Sequence, residues 1–60
     1  MTHFRIFLHY GLIADVVANE YRADGLQFRF LKESEQGRLV VAEFVRTDVM
    51  GIMVVRDSED

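Results

Sequence analysis

Four glycines divide the sequence into segments of nearly equal length, and this spacing constrains the fold more than any other feature. They lie 14, 12 and 14 residues apart in a chain of 60 residues that contains no proline. Turn signals that recur at such intervals are typical of antiparallel sheets built from short strands. The four are Gly11, Gly25, Gly37 and Gly51. The Asp24-Gly25 pair and the polar stretch 33–37 are each typical of a β-hairpin turn.

Apolar side chains recur at every second position in the first, third and fourth segments. Successive side chains of a strand point to opposite faces of a sheet, so a period of two predicts strands. The even-numbered residues, which we expect to form the core, are Phe4, Ile6, Leu8, Tyr10, Leu26, Phe28, Phe30, Val40, Ala42 and Phe44. The last segment, 50–56, is apolar on both faces and is also predicted to be a strand.

The second segment, 12–23, fits two structures. Its apolar residues match the spacing of an amphipathic helix, which Asp24-Gly25 would end. The adjacent β-branched residues Val16 and Val17 favour a strand instead. If the segment is a strand, Asn19 lies at a bend and Tyr21 begins the return. Both structures stay open at this point.

These segments predict one all-β domain over residues 1–56, followed by an acidic tail at 57–60. We expect a five-stranded antiparallel meander that is strongly bent or closed into a small SH3-like barrel. Residues 12–23 are the part of this arrangement for which a helix is the alternative.

A resemblance to a known group covers most of the chain. The residues that carry it are Phe4-Arg5-Ile6, Gly11, residues 16–21, Asp24-Gly25-Leu26, Phe28-Arg29-Phe30, residues 40–44, Val49 and Ile52. On these residues the chain resembles short β-meander proteins of archaea and actinobacteria. The resemblance implies a five-stranded, SH3-like or otherwise strongly bent sheet, and the group brings no known activity.

The small size of the domain predicts association. A chain this short buries only about 60% of the surface that its unfolded form exposes, so its stability needs a further contribution. The sequence has no cysteine for disulfides, which is typical of a reducing compartment. Neither a metal nor a cofactor is expected, because the ligand spacing of zinc sites is lacking. His3 and His9 would share one strand face about 20 Å apart, too far for one ion.

Many apolar residues would lie on the face opposite the predicted core, since half of the chain is hydrophobic. These interface candidates are Phe7, Leu31, Leu39, Val41, Val45, Met53 and Val55. An apolar outer face of this size is typical of an interface, so the sequence predicts a homo-oligomer, a dimer or a ring, or else a protein partner. The alternative is that strong curvature of the sheet buries part of both faces within one chain.

Catalysis finds no support in the sequence. Ser34 lies in a charged loop and Ser58 in the acidic tail, and neither has a base at a recognisable spacing. Asp15 and Glu43 have apolar neighbours, but carboxylates of this kind more often pair with an arginine than transfer protons. The glycines are too far apart for a phosphate-binding loop. The expected function is that of a non-enzymatic small β subunit acting in self-assembly or protein–protein interaction.

A small nucleic-acid-binding barrel is the alternative function. Arg5 shares a face with Phe7, and Arg29 lies on the outer face of the third strand, which brings basic and aromatic side chains together. Three of the ten acidic residues lie in 57–60, and the rest of the chain holds seven acidic and seven basic residues. This neutral balance argues against the alternative, because nucleic-acid affinity comes mainly from the neutralisation of phosphates.

The sequence also predicts a soluble, cytoplasmic protein without membrane contact. No apolar run approaches the roughly 20 residues that span a bilayer. The first residues lack the charged, apolar and small-residue regions of a signal peptide.

Overall fold

The computed structural model describes residues 1–57 and shows an all-β fold made of two three-stranded antiparallel sheets. The strands are β1 (Thr2–Leu8), β2 (Ile13–Ala18), β3 (Glu20–Asp24), β4 (Gln27–Ser34), β5 (Gly37–Val45) and β6 (Val49–Asp57). The first sheet has the order β2-β1-β6 and the second has the order β3-β4-β5. Short 3-10 turns at His9–Gly11 and Arg46–Asp48 join β1 to β2 and β5 to β6. The prediction of an all-β, antiparallel fold is confirmed.

The predicted count of five strands is wrong, because the second segment breaks into β2 and β3 at Asn19. The backbone N–H of Asn19 donates to the Leu31 carbonyl oxygen (2.8 Å). Its side-chain Oδ1 accepts from the Glu33 N–H (2.7 Å). These two bonds tie the bend to β4, and here the chain passes from the first sheet to the second. The helical alternative for 12–23 is wrong as well, since the whole of β2 pairs with residues 2–7 of β1.

The predicted closure into an SH3-like barrel is not found over residues 1–57, where the two sheets stay separate. Only β3-β4-β5 forms the predicted meander. The last strand pairs with β1 rather than with β5, so that Ile52 lies opposite Ile6. This pairing leaves one edge each of β2, β3, β5 and β6 without a partner strand among the described residues.

The core lies between the sheets and is centred on aromatic rings. The fully or nearly buried side chains among the described residues are Phe4, Ile6, Ala18 and Phe30. The Phe30 ring lies 5.3 Å from the ring of Phe4, 5.5 Å from Tyr21 and 5.8 Å from Phe44, measured between centroids. The contacts with Phe4 and Phe44 are edge-to-face, and aromatic pairs of this kind stabilise a fold by about 0.5–1.5 kcal/mol each beyond the burial of their area. The two sheets are therefore joined through Phe4, which contacts Phe30 and Tyr21 of the second sheet.

The predicted even-numbered core is confirmed for most residues and wrong at three positions. Leu8, Phe28, Ala42 and Phe44 pack against the buried residues. Tyr10 and Leu26 are exposed because they lie in hairpin turns rather than in strands. Val40 is exposed because of a β-bulge: Phe30 pairs with Ala42, but Leu31 already pairs with Val40. Val41 is the extra residue of the bulge. Leu39 and Val40 therefore lie on the opposite faces from those that strict alternation predicts.

The acidic tail was predicted to begin at residue 57, but the last strand extends through that residue. Asp57 is the last residue of β6, and its Oδ1 accepts a hydrogen bond from the Thr2 hydroxyl (3.0 Å). Asp57 therefore belongs to the first sheet. The remaining tail residues, 58–60, which include Ser58, lie outside the described residues.

Candidate association surface

The seven residues predicted to form an interface are divided between the two sheets. Phe7, Met53 and Val55 belong to the first sheet, and Leu31, Leu39, Val41 and Val45 belong to the second. The bulge at Val41 separates the second group further: Leu39 pairs with Lys32 and so shares a face with Phe30, whereas Leu31 lies on the opposite face. The structure thus does not bring all seven residues to one surface.

The outer face of the second sheet is covered by ion pairs. Arg29 Nη1 lies 2.8 Å from Asp24 Oδ2, and Arg38 Nη1 lies 2.8 Å from Glu20 Oε1. Further contacts join Arg22 to Glu20, Arg38 to Glu33 and Arg29 to Glu43. Exposed pairs of this kind each stabilise a protein by at most about 1 kcal/mol, and desolvating them is costly. This face is suited to water, and Leu31 and Val40 lie among its charges.

The outer face of the first sheet carries apolar and charged side chains in about equal number. The antiparallel register places Ile13 and Gly51 beside Phe7, Asp15 and Met53 beside Arg5, and Val17 and Arg56 beside His3. Cross-strand partners share a face. We name Phe7, Ile13, Val17 and Met53 the apolar face. Ile13 and Val17 are 57% and 54% exposed.

Phe7 is less exposed than its neighbours because its ring covers a glycine. A Cβ atom placed on Gly51 would lie 3.9 Å from the Phe7 ring. The ring therefore shields the backbone of β6 at a position that has no side chain of its own.

A compact polar cluster crosses the apolar face. Asp15 Oδ1 accepts a hydrogen bond from Arg5 Nε (3.0 Å) and lies 3.3 Å from His3 Nε2. The hydrogen bond from the Arg5 guanidinium lowers the pKa of the Asp15 carboxyl below its ordinary value, and the same bond raises the pKa of Arg5. Arg5 and Asp15 compensate each other, so a partner surface that covers the cluster leaves no unpaired charge but has to desolvate this ion pair.

We expect the Asp15 carboxyl to titrate below its ordinary pKa, and Arg5→Gln to move the titration upward. A depressed pKa in the folded state adds stability above the pKa of the unfolded chain. That contribution is lost as the pH falls through the folded-state pKa. A carbon-detected NMR titration of both proteins measures the midpoint. Arg22→Gln, which removes an arginine on the other sheet, should leave the midpoint unchanged; equal midpoints in the native protein and Arg5→Gln would contradict the assignment.

Two of the four free edges carry irregularities that hinder the addition of another strand. The edge strand β6 shows register shifts against β1 between His3 and Phe4 and between Phe7 and Leu8. The edge strand β5 carries the bulge at Val41. Bulges twist an edge and interrupt its hydrogen-bonding row. The edge strands β2 and β3 pair with their neighbours without a register shift.

The residues considered for other functions lie apart. Arg5 and Arg29, the candidates for nucleic-acid binding, belong to different sheets, and each contacts carboxylates. His9 lies in the turn after β1, where its Nε2–H donates to the Thr47 carbonyl oxygen (2.8 Å), so the prediction that it shares a strand face with His3 is wrong. The Ser34 hydroxyl donates to the Gly37 carbonyl oxygen (2.7 Å) and closes a hairpin.

Residues 1–57 contain no group of three or more histidine, cysteine or acidic side chains placed to hold a metal ion. Within the same residues, no helix is long and apolar enough to cross a membrane. Comparison with protein-family models, with curated proteins and with solved structures gives no match. The resemblance to the archaeal and actinobacterial β-meander proteins therefore stays a prediction.

Sequence reasoning missed Ile13 and Val17 as members of the apolar face. Both lie in the segment that fitted a helix as well as a strand, and the strand, which would direct Val16 and Ala18 to the core, was only one of the two structures left open. The signal that would have found them is their parity with Asp15, since residues 13, 15 and 17 alternate with the inward-facing Ala14, Val16 and Ala18.

Proposed function

We propose that the chain is a non-enzymatic β subunit that works through self-association, with the apolar face of one copy packed against another copy. The observation that carries this proposal is the contrast between the two outer faces. The outer face of the second sheet carries a network of ion pairs, whereas the first sheet exposes Ile13, Val17 and Met53 to water. Burying apolar side chains is favourable in proportion to the area removed from water.

The total surface supports the same conclusion. A folded monomer of 7.0 kDa exposes about 4,000 Å² on average. This chain exposes 4453 Å². The alternative that sheet curvature buries part of both faces within one chain holds for Phe7 and Leu31, which are half-buried. It does not hold for Met53, which remains 43% exposed on the apolar face and is available to a second copy.

The solution mass tests the proposal. Size exclusion coupled to light scattering should give at least two chains per particle at tens of micromolar. Charged substitutions on the apolar face, compared with a matched substitution on the second sheet, then show which surface is responsible.

We expect no salt-sensitive binding of single-stranded DNA or RNA, the second function considered. Arg5 is neutralised by Asp15, and Arg29 contacts Asp24 and Glu43, so neither offers a free charge to a phosphate. Fluorescence polarisation at low and high salt measures this. Binding that weakens with salt, and that Arg5→Gln reduces, would favour the nucleic-acid function instead.

A further inference from the structure

A concave pocket lies where the turn after β1 approaches the end of β5, and its lining shares no residue with the apolar face. Its volume is about 380 Å³. Its walls are apolar and come from both sheets: Leu8 and Leu12 flank the β1–β2 turn, and Phe44 and Val45 belong to β5. Val45 is one of the residues that the sequence predicted at an interface. The pocket is open to solvent and large enough to receive a long side chain.

The polar lining of this pocket is acidic. Glu43 and Asp48 both line it. Asp48 takes part in no ion pair within residues 1–57, and the contact of Glu43 is a 3.8 Å approach to Arg29 Nε. His9 also lines the pocket, and its ring nitrogen is engaged with the Thr47 carbonyl oxygen. Among the described residues, Asp48 is therefore the unpaired acidic side chain of the lining, and Glu43 shares its charge with Arg29.

Tyr10, which also lines the pocket, has an unusual backbone conformation. Tyr10 is 98% exposed and has a φ of 65°, the left-handed region that residues other than glycine rarely adopt. Asparagine or glycine would fit this turn with less strain. The ring gains no burial from the fold. A ring in the lining of an acidic pocket provides a face for a cation.

We propose that this pocket binds the cationic side chain of a lysine or arginine that a partner protein presents in a basic segment. The apolar walls match the methylene stem of such a side chain. Glu43 and Asp48 face its charge, and the Tyr10 ring contacts the cation or the stem. A neutral apolar side chain would match the walls but would leave the acidic residues without a counter-charge. An acidic side chain would be repelled by them. The inference is independent of self-association, because the pocket lies outside the apolar face.

Three amino-acid amides probe the pocket: N-acetyl-lysine methylamide, its arginine equivalent and its norleucine equivalent, which keeps the alkyl stem and lacks the charge. Titrations followed by nitrogen-15 NMR should shift the amides of Leu12, Phe44 and Asp48. We expect the cationic probes to bind about tenfold more tightly than the norleucine probe, the ratio that one charge-assisted contact produces.

Asp48→Asn should weaken the cationic probes about fivefold to tenfold and leave the norleucine probe unchanged. Asp48 has no described ion pair to lose, so the folded spectrum should be retained. Glu35→Gln removes the same charge from the turn between β4 and β5 and serves as the matched control, since Glu35 does not line the pocket. Its affinity for every probe should equal that of the native protein.

Three results would overturn the proposal. Equal affinity for the norleucine and lysine probes would show that the acidic residues do not select a cation. Shifts centred on residues outside the pocket would place the site elsewhere. A loss of self-association in Asp48→Asn would identify the occupant as a second copy rather than a partner protein. If the native protein is monomeric but still binds the lysine probe, self-association is refuted and the pocket proposal is retained. The two proposals can therefore be tested separately.

Discussion

Phe30→Ala is expected to destabilise the folded chain by about 3–5 kcal/mol, the cost of removing a buried phenylalanine ring. Phe30 is fully buried and contacts the rings of Phe4, Tyr21 and Phe44. A domain of 60 residues has a free energy of unfolding of roughly 3–9 kcal/mol at typical stability per residue. The substitution thus removes most of the stability, and a large unfolded fraction is expected in dilute buffer.

Denaturant titrations followed by circular dichroism measure this effect. The variants must be compared at one protein concentration, since association adds to the apparent stability. Leu26→Ala is the control: this side chain lies in the turn between β3 and β4, is 79% exposed, and should change the free energy of unfolding by no more than about 0.5 kcal/mol. A loss of less than about 1 kcal/mol in Phe30→Ala would mean that Phe30 is not buried in the core between the sheets.

The double variant Ile13→Lys, Val17→Lys is expected to weaken self-association about a hundredfold, since each buried ammonium would cost at least the 1.4 kcal/mol that corresponds to tenfold. Both side chains are more than half exposed in the single chain, so the fold should survive. Lysine is also tolerated on edge strands, and β2 is one. Sedimentation velocity over a dilution series measures the dissociation constant.

Val40→Lys is a matched control for the Val17→Lys substitution within the double variant. Both replace a valine of similar exposure, 48% and 54%, but Val40 lies on the charged outer face of the second sheet. Val40→Lys should leave the dissociation constant unchanged, because that face stays in water. If instead Val40→Lys dissociates the assembly and the double variant does not, the second sheet is the contact surface.

The sequence was sufficient to predict the strands of regular alternation and most of the core. Phe4, Ile6 and Phe30 recur at a period of two within uninterrupted strands, so their burial follows from the pleat. The exposure of Val40 did not follow, because a bulge depends on how two strands pair and leaves no local signature. The break at Asn19 was foreseen as a bend, but its hydrogen bonds to β4 depend on tertiary packing.

The candidate surface was also predictable only in part, because it depends on how the strands pair. Phe7 and Met53 were identified by parity in strands whose type was clear. The ion pairs of the second sheet were not, because they join residues of neighbouring strands, and the register that brings Arg29 opposite Glu43 is not written in either strand alone. Without those pairs, the outer residues of both sheets looked equally apolar, and Leu31 and Val45 were placed in one surface with Phe7.

The mass of the native protein in solution tests the central claim most directly. Size exclusion with light scattering at tens of micromolar is predicted to give a particle of two or more chains that dissociates on dilution. The double variant at Ile13 and Val17 should then run as a single chain under the same conditions. A native protein that stays monomeric throughout this range would contradict self-association through the apolar face.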